Sequence, residues 1–234
     1  MFYRAGDATQ TGTGSEVEFD IGASLPPLTE QTILTSFNLG GTSSGLNNII
    51  TVTSSFGSLG VNAVNNFVNT QQYGTDGSTV GTSSTSMSVT TGDWYHLGIT
   101  ADSATGTGSL TIVNNQGDIV DTTSVPIDTV FPAAVDMTAL TLGSTGNDVT
   151  IQHDQTVIVD EALTPEEIVA QVQTFTTGGD AGTGNIVGVI DHDSSDPTLE
   201  VVDPTTGDHT EVTGDVTGTP ECVIKLVVFI ERLS

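Results

Sequence analysis

Short runs of β-branched and apolar residues, separated by clusters of Gly, Asn and Asp, recur along most of this 234-residue chain. Runs bounded in this way by turn formers are typical of the strands of a β-sandwich. They cover residues 16–21, 32–39, 48–54, 60–68, 86–90, 95–100, 109–114, 119–123, 139–142, 149–153 and 156–159. Since these are too many strands for one flat sheet, the sequence predicts an all-β protein of two antiparallel sheets packed face to face.

One segment predicts a helix over about 164–175. Thr164 suits the N-cap, Pro165 suits the first helical position, and Glu167 completes a capping box with Thr164. The apolar residues that share one face of this helix are Ile168, Val172 and Phe175.

The pattern predicts three segments in the chain. A main sandwich over residues 1–176 precedes a Gly-rich linker at 177–185 and a small β extension at 186–234. Within the extension, two short strands flank a turn at 203–208 and predict a hairpin. The apolar run 222–230 needs cover on both faces, so we expect it to dock on the sandwich, on the hairpin or on a neighbouring chain.

Charge is extremely unbalanced, with 29 Asp and Glu against 3 Lys and Arg and a formal net charge of −26. The basic residues are Arg4, Lys225 and Arg232. Such a chain repels itself in dilute buffer, whereas at ~1 M salt a Debye length of about 3 Å removes most of the repulsion. The composition resembles that of proteins from extreme halophiles, although an acidic surface from a marine or calcium-rich setting is the alternative. Nucleic acid is excluded as a partner, because its phosphates would be repelled.

The charge is also unevenly placed. From residue 31 to residue 92 the only charged residue is Asp76. Two interpretations fit this neutral Ser, Thr, Asn and Gly surface: it contacts another subunit, or it consists of solvated loops. The chain offers no apolar run of signal-peptide length and none of about 18 residues, so export by that route and membrane insertion are not expected. Cys222 is the single cysteine, which excludes an intrachain disulfide.

Several stretches resemble the laminin-G-like, concanavalin A-like lectin family, which shares its fold with pentraxins and legume lectins. They are 92–100 (GDWYHLGIT), 110–117 (LTIVNNQG), 140–143 (LTLG) and 154–168 (DQTVIVDEALTPEEI). The resemblance covers residues 12–175 and implies an antiparallel jelly-roll β-sandwich with Trp94 in its core. Together with the acidic composition, the resemblance implies that this chain is an acidic, halophile-type version of the family. Gln155, Val157 and Glu161 depart from the family pattern.

No residue pattern in the sequence predicts catalysis. Glycosidases need two carboxylates flanking the scissile bond, and the chain contains no Glu-X-Asp-X-X-Glu stretch that would supply such a pair. Glu166 and Glu167 are explained by helix capping, and no nucleophile elbow accompanies any of the four histidines. His96 is interpreted as a structural hydrogen-bonding residue. We therefore expect a protein that is not an enzyme.

Calcium is the one cofactor for which the sequence offers candidates. Asp102, Asp148 and Asp154 lie in or near loops that are expected to meet at one rim of the sandwich, where the resembled family often holds calcium. Asp191, Asp193 and Asp196 form a second group along the sequence. For each of these residues, a solvated carboxylate in an acidic chain is the competing interpretation. Zinc is not expected, because one Cys and scattered His residues supply no ligand set.

Sugar binding needs an exposed aromatic side chain. Tyr73, which we place in a loop at 71–74, is the only aromatic residue in a clearly exposed context and is the candidate ligand-binding residue. Sugar binding itself is implied by the family resemblance.

Two functional hypotheses follow. In the first, the protein is a structural or surface-display subunit of a virion from a halophilic host, such as a capsid decoration, turret or tail-associated protein. It would form a homo-oligomer, assemble with other virion proteins and attach to the host surface. In the second, it is a lectin or adhesin module that binds surface glycans with the help of calcium. Both place the protein in a virion or outside cells, without a signal peptide.

The acidic composition predicts that salt stabilises the fold. We expect the free energy of unfolding, measured with urea as an uncharged denaturant, to rise between ~0.1 M and ~3 M KCl as charge repulsion is screened. A protein that stays native in dilute buffer and unfolds in brine would contradict this prediction.

Overall fold

Side chains alternate between buried and exposed positions along the strands, as expected for sheets that face a core on one side. In Ser15–Asp20, for example, Val17 and Phe19 are fully buried while Glu18 and Asp20 are exposed. The computed structural model describes residues 7–12, 14–22, 24–42, 44–177, 185–192, 197–218 and 221–224.

These residues form strands and one helix. In chain order the elements are β1 (Asp7–Gly12), β2 (Ser15–Asp20), β3 (Glu30–Leu39), β4 (Leu46–Ser54), β5 (Gly57–Val64), β6 (Phe67–Gly74), β7 (Thr79–Ser88), β8 (Trp94–Asp102), β9 (Thr107–Asn114), β10 (Ile119–Pro126), β11 (Met137–Ser144), β12 (Thr150–Val159), α1 (Pro165–Thr177), β13 (Ile186–Asp191), β14 (Thr198–Val202), β15 (His209–Thr213), β16 (Asp215–Thr217) and β17 (Glu221–Ile224).

The strands build two antiparallel sheets. The ten-stranded sheet runs in the order β10-β9-β8-β3-β12-β13-β14-β15, with β1 beside β12 and β17 beside β1. The seven-stranded sheet runs β16-β2-β11-β4-β5-β6-β7. The predicted all-β antiparallel sandwich with one short helix is therefore confirmed.

The main core lies between the inner faces of the two sheets. Its largest fully buried side chains include Phe19, Phe37, Ile50, Leu97 and Leu110. A side chain of this size contributes about 1.5–3 kcal/mol when it leaves water, so the sheets are held together mainly by these contacts.

Helix α1 packs on the outer face of the ten-stranded sheet. The expected capping box is present, because the Thr164 N–H donates to Glu167 Oε2 over 2.8 Å and the Glu167 N–H donates to Thr164 Oγ1 over 3.3 Å. Ile168 and Val172 are buried in a second apolar cluster. Gly98 makes room for the helix, since a Cβ there would lie 2.6 Å from Ile168 Cδ1. The side chain of Phe175 lies outside the described residues.

The C-terminal strands continue both sheets. The expected hairpin forms between β14 and β15, and β13 joins it to β12. Strand β16 pairs with β2 at the edge of the seven-stranded sheet. Of the apolar run 222–230, residues 222–224 belong to β17, which pairs with β1, and the rest lies outside the described residues, as do linker residues 178–184.

Three local expectations were wrong. The run 60–68 is not one strand, because Asn65 and Asn66 both adopt left-handed backbone conformations (φ 48° and 63°) and form the turn between β5 and β6. The runs 149–153 and 156–159 form one strand, β12, with an irregular register around Gln155 (φ 51°). Trp94, implied to be a core residue, is only half-buried at the start of β8.

Two histidines lie within the core of the sandwich. His153 pairs in register with Phe37, which faces the main core, and His192 Nε2 lies 3.3 Å from Thr156 Oγ1. Thr156 Oγ1 in turn lies 2.8 Å from Thr35 Oγ1. Burial lowers the pKa of both histidines to about 3, and for His153 the nearby His192 adds to this effect.

This histidine pair makes the fold sensitive to acid. Because the folded-state pKa values lie below the unfolded value of about 6.5, the unfolded chain binds more protons below that pH, and stability falls as the pH drops through this window toward pH 3. Between pH 8 and pH 5 we expect a loss of about 2 kcal/mol per histidine. Urea unfolding in molar salt, repeated at several pH values, measures this loss of unfolding free energy.

The control for this prediction uses matched amide variants. The double variant H153N/H192N should have a flatter dependence of unfolding free energy on pH, whereas H209N, which replaces an exposed histidine in contact with Glu200, should not flatten it. An unchanged slope in the double variant would contradict the assignment.

Candidate ligand-binding face

The outer face of β4, β5 and β6 is the candidate site. In β5, Leu59, Val61 and Ala63 point into the core, so the residues between them point outward. In β6 the buried residues are Val68, Thr70 and Gln72. The residues of β6 that point outward are Phe67, Asn69, Gln71 and Tyr73, and we call them the β6 row.

The ring of Tyr73 lies beside Gly60 of β5. A Cβ placed on Gly60 would lie 3.6 Å from Tyr73 Cε2, which is ordinary van der Waals contact. The Tyr73 hydroxyl donates a hydrogen bond to Gln71 Oε1. Partial burial raises the pKa of Tyr73, so the phenol stays protonated and neutral. The expectation that Tyr73 lies in a loop was wrong, because it belongs to β6, which holds its backbone in place.

Asn62 is a buried amide beside this ring. It is fully buried, and neither its Oδ1 nor its Nδ2 has a hydrogen-bond partner. In register it stands between Asn48 of β4 and Asn69 of β6, so three asparagines cross the face side by side. A buried amide without a hydrogen-bond partner lowers the free energy of unfolding by about 1–3 kcal/mol, which is unusual for a residue on the outer side of a sheet.

The other end of the β6 row is apolar. Leu46, Val64 and Phe67 are aligned across β4, β5 and β6, and Leu46 and Phe67 are 41% and 45% exposed. A depression of about 300 Å³ lies beside them; its lining residues are Val64, Phe67, Asn69, Thr70, Gln71 and Thr82. The face therefore combines an apolar hollow with adjoining amide groups, as binding sites for small ligands commonly do.

Charge divides the outer face of the seven-stranded sheet into two halves. At the β16 and β2 edge it carries Glu16, Glu18, Asp20 and Asp215. On β4, β5 and β6 no outward residue is charged. The neutral stretch of sequence thus forms much of one continuous surface of strands, and it is not merely a set of solvated loops.

The proposed calcium ligands are not brought together. Asp102 ends β8 and pairs with Glu30 at the start of β3. Asp148 precedes β12, and the first residues of β12 pair with Leu39 and Gly40 at the opposite end of β3. Ten residues of strand separate the two ends by about 30 Å. The expectation that these loops meet at one rim was therefore wrong.

The remaining carboxylates do not restore a cluster. Asp154 lies within β12, in register with Ser36, and Asp191 ends β13, while Asp193 and Asp196 lie outside the described residues. Within the described ranges, no group of three or more His, Cys, Asp or Glu side chains is arranged to hold a metal ion. Calcium binding by this chain stays a prediction.

Asp148 has a different role that its geometry explains. Its Oδ2 accepts hydrogen bonds from the N–H groups of Ser44 and Gly45 (3.1 and 3.0 Å) and from Ser44 Oγ (2.6 Å). Its Oδ1 accepts a hydrogen bond from Asn47 Nδ2. These donors lower the pKa of Asp148 to about 2, and they tie the loop before β4 to the loop before β12.

Asp102 is used in a similar way within its own turn. Its carboxylate accepts hydrogen bonds from Ala104 N (2.9 Å) and from Thr105 Oγ1 (2.8 Å), which lower its pKa. Such a carboxylate stabilises the turn between β8 and β9.

His96 has the structural role that was expected. Its Nδ1 lies 2.7 Å from Ser36 Oγ, and burial lowers its pKa to about 4. Both residues are nearly inaccessible, with 7% of His96 and 3% of Ser36 exposed, so this Ser-His pair offers no surface to a substrate.

Solved structures with the same fold come from several kinds of protein. The chain is similar to a heptameric SAP-like pentraxin from Limulus polyphemus, with 12% identity, a TM-score of 0.56, and coverage of 94% of this chain and 95% of the pentraxin. A proposed carbohydrate-binding protein from Bacteroides ovatus has 13% identity and a TM-score of 0.55, over 95% of this chain and 61% of that one. The ligand-binding domain of botulinum neurotoxin serotype D, in complex with N-acetylneuraminic acid, has 11% identity and a TM-score of 0.55, over 91% of this chain and 60% of that one.

These similarities define the class of fold. No family model and no curated protein matches the sequence. The chain spans about three fifths of the second and third structures. At such low identity they show the fold alone, which is the jelly-roll β-sandwich. Among the described residues, no helix is long and apolar enough to cross a membrane.

The role of Asp148 can be tested by removing its charge. We expect D148N to lower Tm by about 2–5 °C, although it relieves the net negative charge, because an amide oxygen accepts hydrogen bonds less strongly than a carboxylate. Thermal unfolding followed by circular dichroism in molar salt measures the shift. D128N removes one exposed carboxylate and is the matched control. Equal Tm changes in both variants would refute the stabilising role of the hydrogen bonds to Asp148.

Proposed function

We propose that this protein is a non-catalytic glycan-binding module whose ligand lies on the outer face of β4, β5 and β6. The observation that carries the proposal is the β6 row, in which two aromatic residues flank two amides beside the buried, unpartnered amide of Asn62. Aromatic rings pack against the apolar faces of sugar rings, while amides both donate to and accept from sugar hydroxyls.

The structural similarities support the same reading. The Bacteroides ovatus protein is described as carbohydrate-binding. The neurotoxin domain is in complex with N-acetylneuraminic acid, a sugar acid. Both carry the sandwich found here. The proposal for this chain nevertheless depends on its own side chains.

The chemistry of the face supports binding without hydrolysis. Cleavage of a glycosidic bond by the common mechanisms needs two carboxyl groups on either side of the bond. The outward residues of β4, β5 and β6 are amides, hydroxyl-bearing residues, apolar residues and a glycine. They can hold a sugar but cannot protonate its leaving group.

We also propose that the chain acts as a subunit of a larger assembly. Strands β7 and β10 end the hydrogen-bonded order of their two sheets and lie next to each other, and they expose Val80, Ile119 and Val120 by 48%, 40% and 40%. Edge strands with exposed apolar residues favour pairing with another copy. The pentraxin of the same fold is described as heptameric. A virion from a halophilic host, suggested by composition, stays a prediction, as do calcium-assisted binding and a virion or extracellular location.

The proposed glycan site predicts the effect of removing its aromatic rings. We expect Y73A and F67A each to weaken glycan binding by about tenfold, since each loses one ring contact of about 1–1.5 kcal/mol. The ligand is first identified on a glycan array in molar salt, and the affinities are then measured by isothermal titration calorimetry.

The matched control is I119A, which removes an exposed apolar side chain from β10, in the other sheet. It should leave the affinity unchanged. Wild-type affinity in both Y73A and F67A, or the absence of any array signal from folded protein, would refute the proposed site.

A further inference from the structure

Resting on the glycan-binding function proposed above, we propose that the ligand is an uncharged oligosaccharide lying along β6, and that Asp76 excludes anionic sugars at the Tyr73 end. Two properties of the face lead to this ligand class. They are the length of the β6 row and the distribution of charge around it.

The length of the β6 row selects an oligosaccharide. Phe67 and Tyr73 are six residues apart on one strand and point to the same side, which places them about 20 Å apart. This distance exceeds the width of one sugar ring. A ligand that contacts both aromatic residues therefore extends over several sugar units, whose hydroxyls meet Asn69 and Gln71 on the way.

The charge of the site selects an uncharged ligand. Carboxylates and sulfates are usually bound through Arg or Lys, which provide charge-assisted hydrogen bonds. The three basic residues of the chain are Arg4, Lys225 and Arg232, so the described part of the chain contains none. Amides and hydroxyl groups, which line the β6 row and its neighbours, suit the hydroxyls of neutral sugars.

Asp76 adds repulsion at one end of the row. It is the only charged residue from 31 to 92 and lies in the turn that follows β6. Its Oδ1 accepts hydrogen bonds from Ser78 N (2.9 Å) and Ser78 Oγ (2.6 Å), and a Cβ on Gly74 would lie 3.2 Å from the same oxygen. The carboxylate is thus held beside Gly74, the residue next to Tyr73.

The turn keeps this carboxylate ionised. The hydrogen bonds from Ser78 lower the pKa of Asp76, so it carries its negative charge at neutral pH. An acidic sugar near Tyr73 would meet this charge with no cation of the described chain to offset it. The neurotoxin domain with N-acetylneuraminic acid shows that the fold itself does not exclude an acidic sugar. The exclusion proposed here comes from the side chains of this face.

The test uses pairs of glycans that differ only in charge. Full-length protein is applied to an array of uncharged oligosaccharides, each printed beside its sialylated or sulfated form, and the best pair is measured by calorimetry in molar salt. We expect the neutral member to bind and the anionic member to bind at least tenfold more weakly. The constituent monosaccharide should compete at least tenfold more weakly than the oligosaccharide.

A variant isolates the contribution of Asp76. At the lowest salt concentration at which the protein stays folded, D76N should improve binding of the anionic member by about threefold, because it removes a nearby repulsion. It should leave the neutral member unchanged. D128N, which like D76N removes one negative charge but does so in a turn after β10, is the control and should change neither affinity.

The outcomes separate this inference from the function on which it rests. If an anionic glycan binds as tightly as its neutral partner, or if a monosaccharide competes as well as the oligosaccharide, the ligand class is wrong while glycan binding stands. If D76N and D128N have the same effect on the anionic member, the role of Asp76 is wrong. If folded protein binds neither kind of glycan, the proposed function itself fails.

Discussion

The packing of two inner sheet faces against each other is the constraint on which the rest of this protein depends. Because side chains alternate along a strand, each residue committed to the core places its neighbour on the outer face. Burying Val61 and Ala63 therefore presents Asn62 outward, and burying Val68, Thr70 and Gln72 lines up the whole β6 row. The face that we assign to glycans is in this sense a product of the hydrophobic core beneath it.

Electrostatics then gives the two ends of the seven-stranded sheet different properties. A chain with a net charge of −26 must spread its carboxylates over the surface, and β2 and β16 accept several of them. Strands β4, β5 and β6 carry none on their outer face. Uncharged ligands approach that face without electrostatic repulsion. The proposed self-association uses the exposed apolar residues of β7 and β10 instead, so it is compatible with the proposed glycan binding.

Sequence patterns that depend on near neighbours were predicted well. The capping box of Thr164 and Glu167 needs residues only three apart, and it formed as expected. Most of the strands were also found, because β-branched runs between turn formers are a local signal. Errors arose where a local signal was ambiguous. The turn at Asn65 and Asn66 interrupts an apolar run without Gly or Pro. Tyr73 follows four polar residues, so a strand was taken for a loop.

By itself the sequence determined the all-β character, the helix and the acidic surface, since each follows from composition or from spacings of a few residues. Tertiary structure alone decided which distant residues share a surface. Strand register aligns Asn48, Asn62 and Asn69, and it holds Asp102 and Asp148 at opposite ends of β3 although both are loop aspartates in the sequence. Register depends on how whole sheets pack, and a one-residue shift would turn every outward side chain inward, so no local pattern specifies the site.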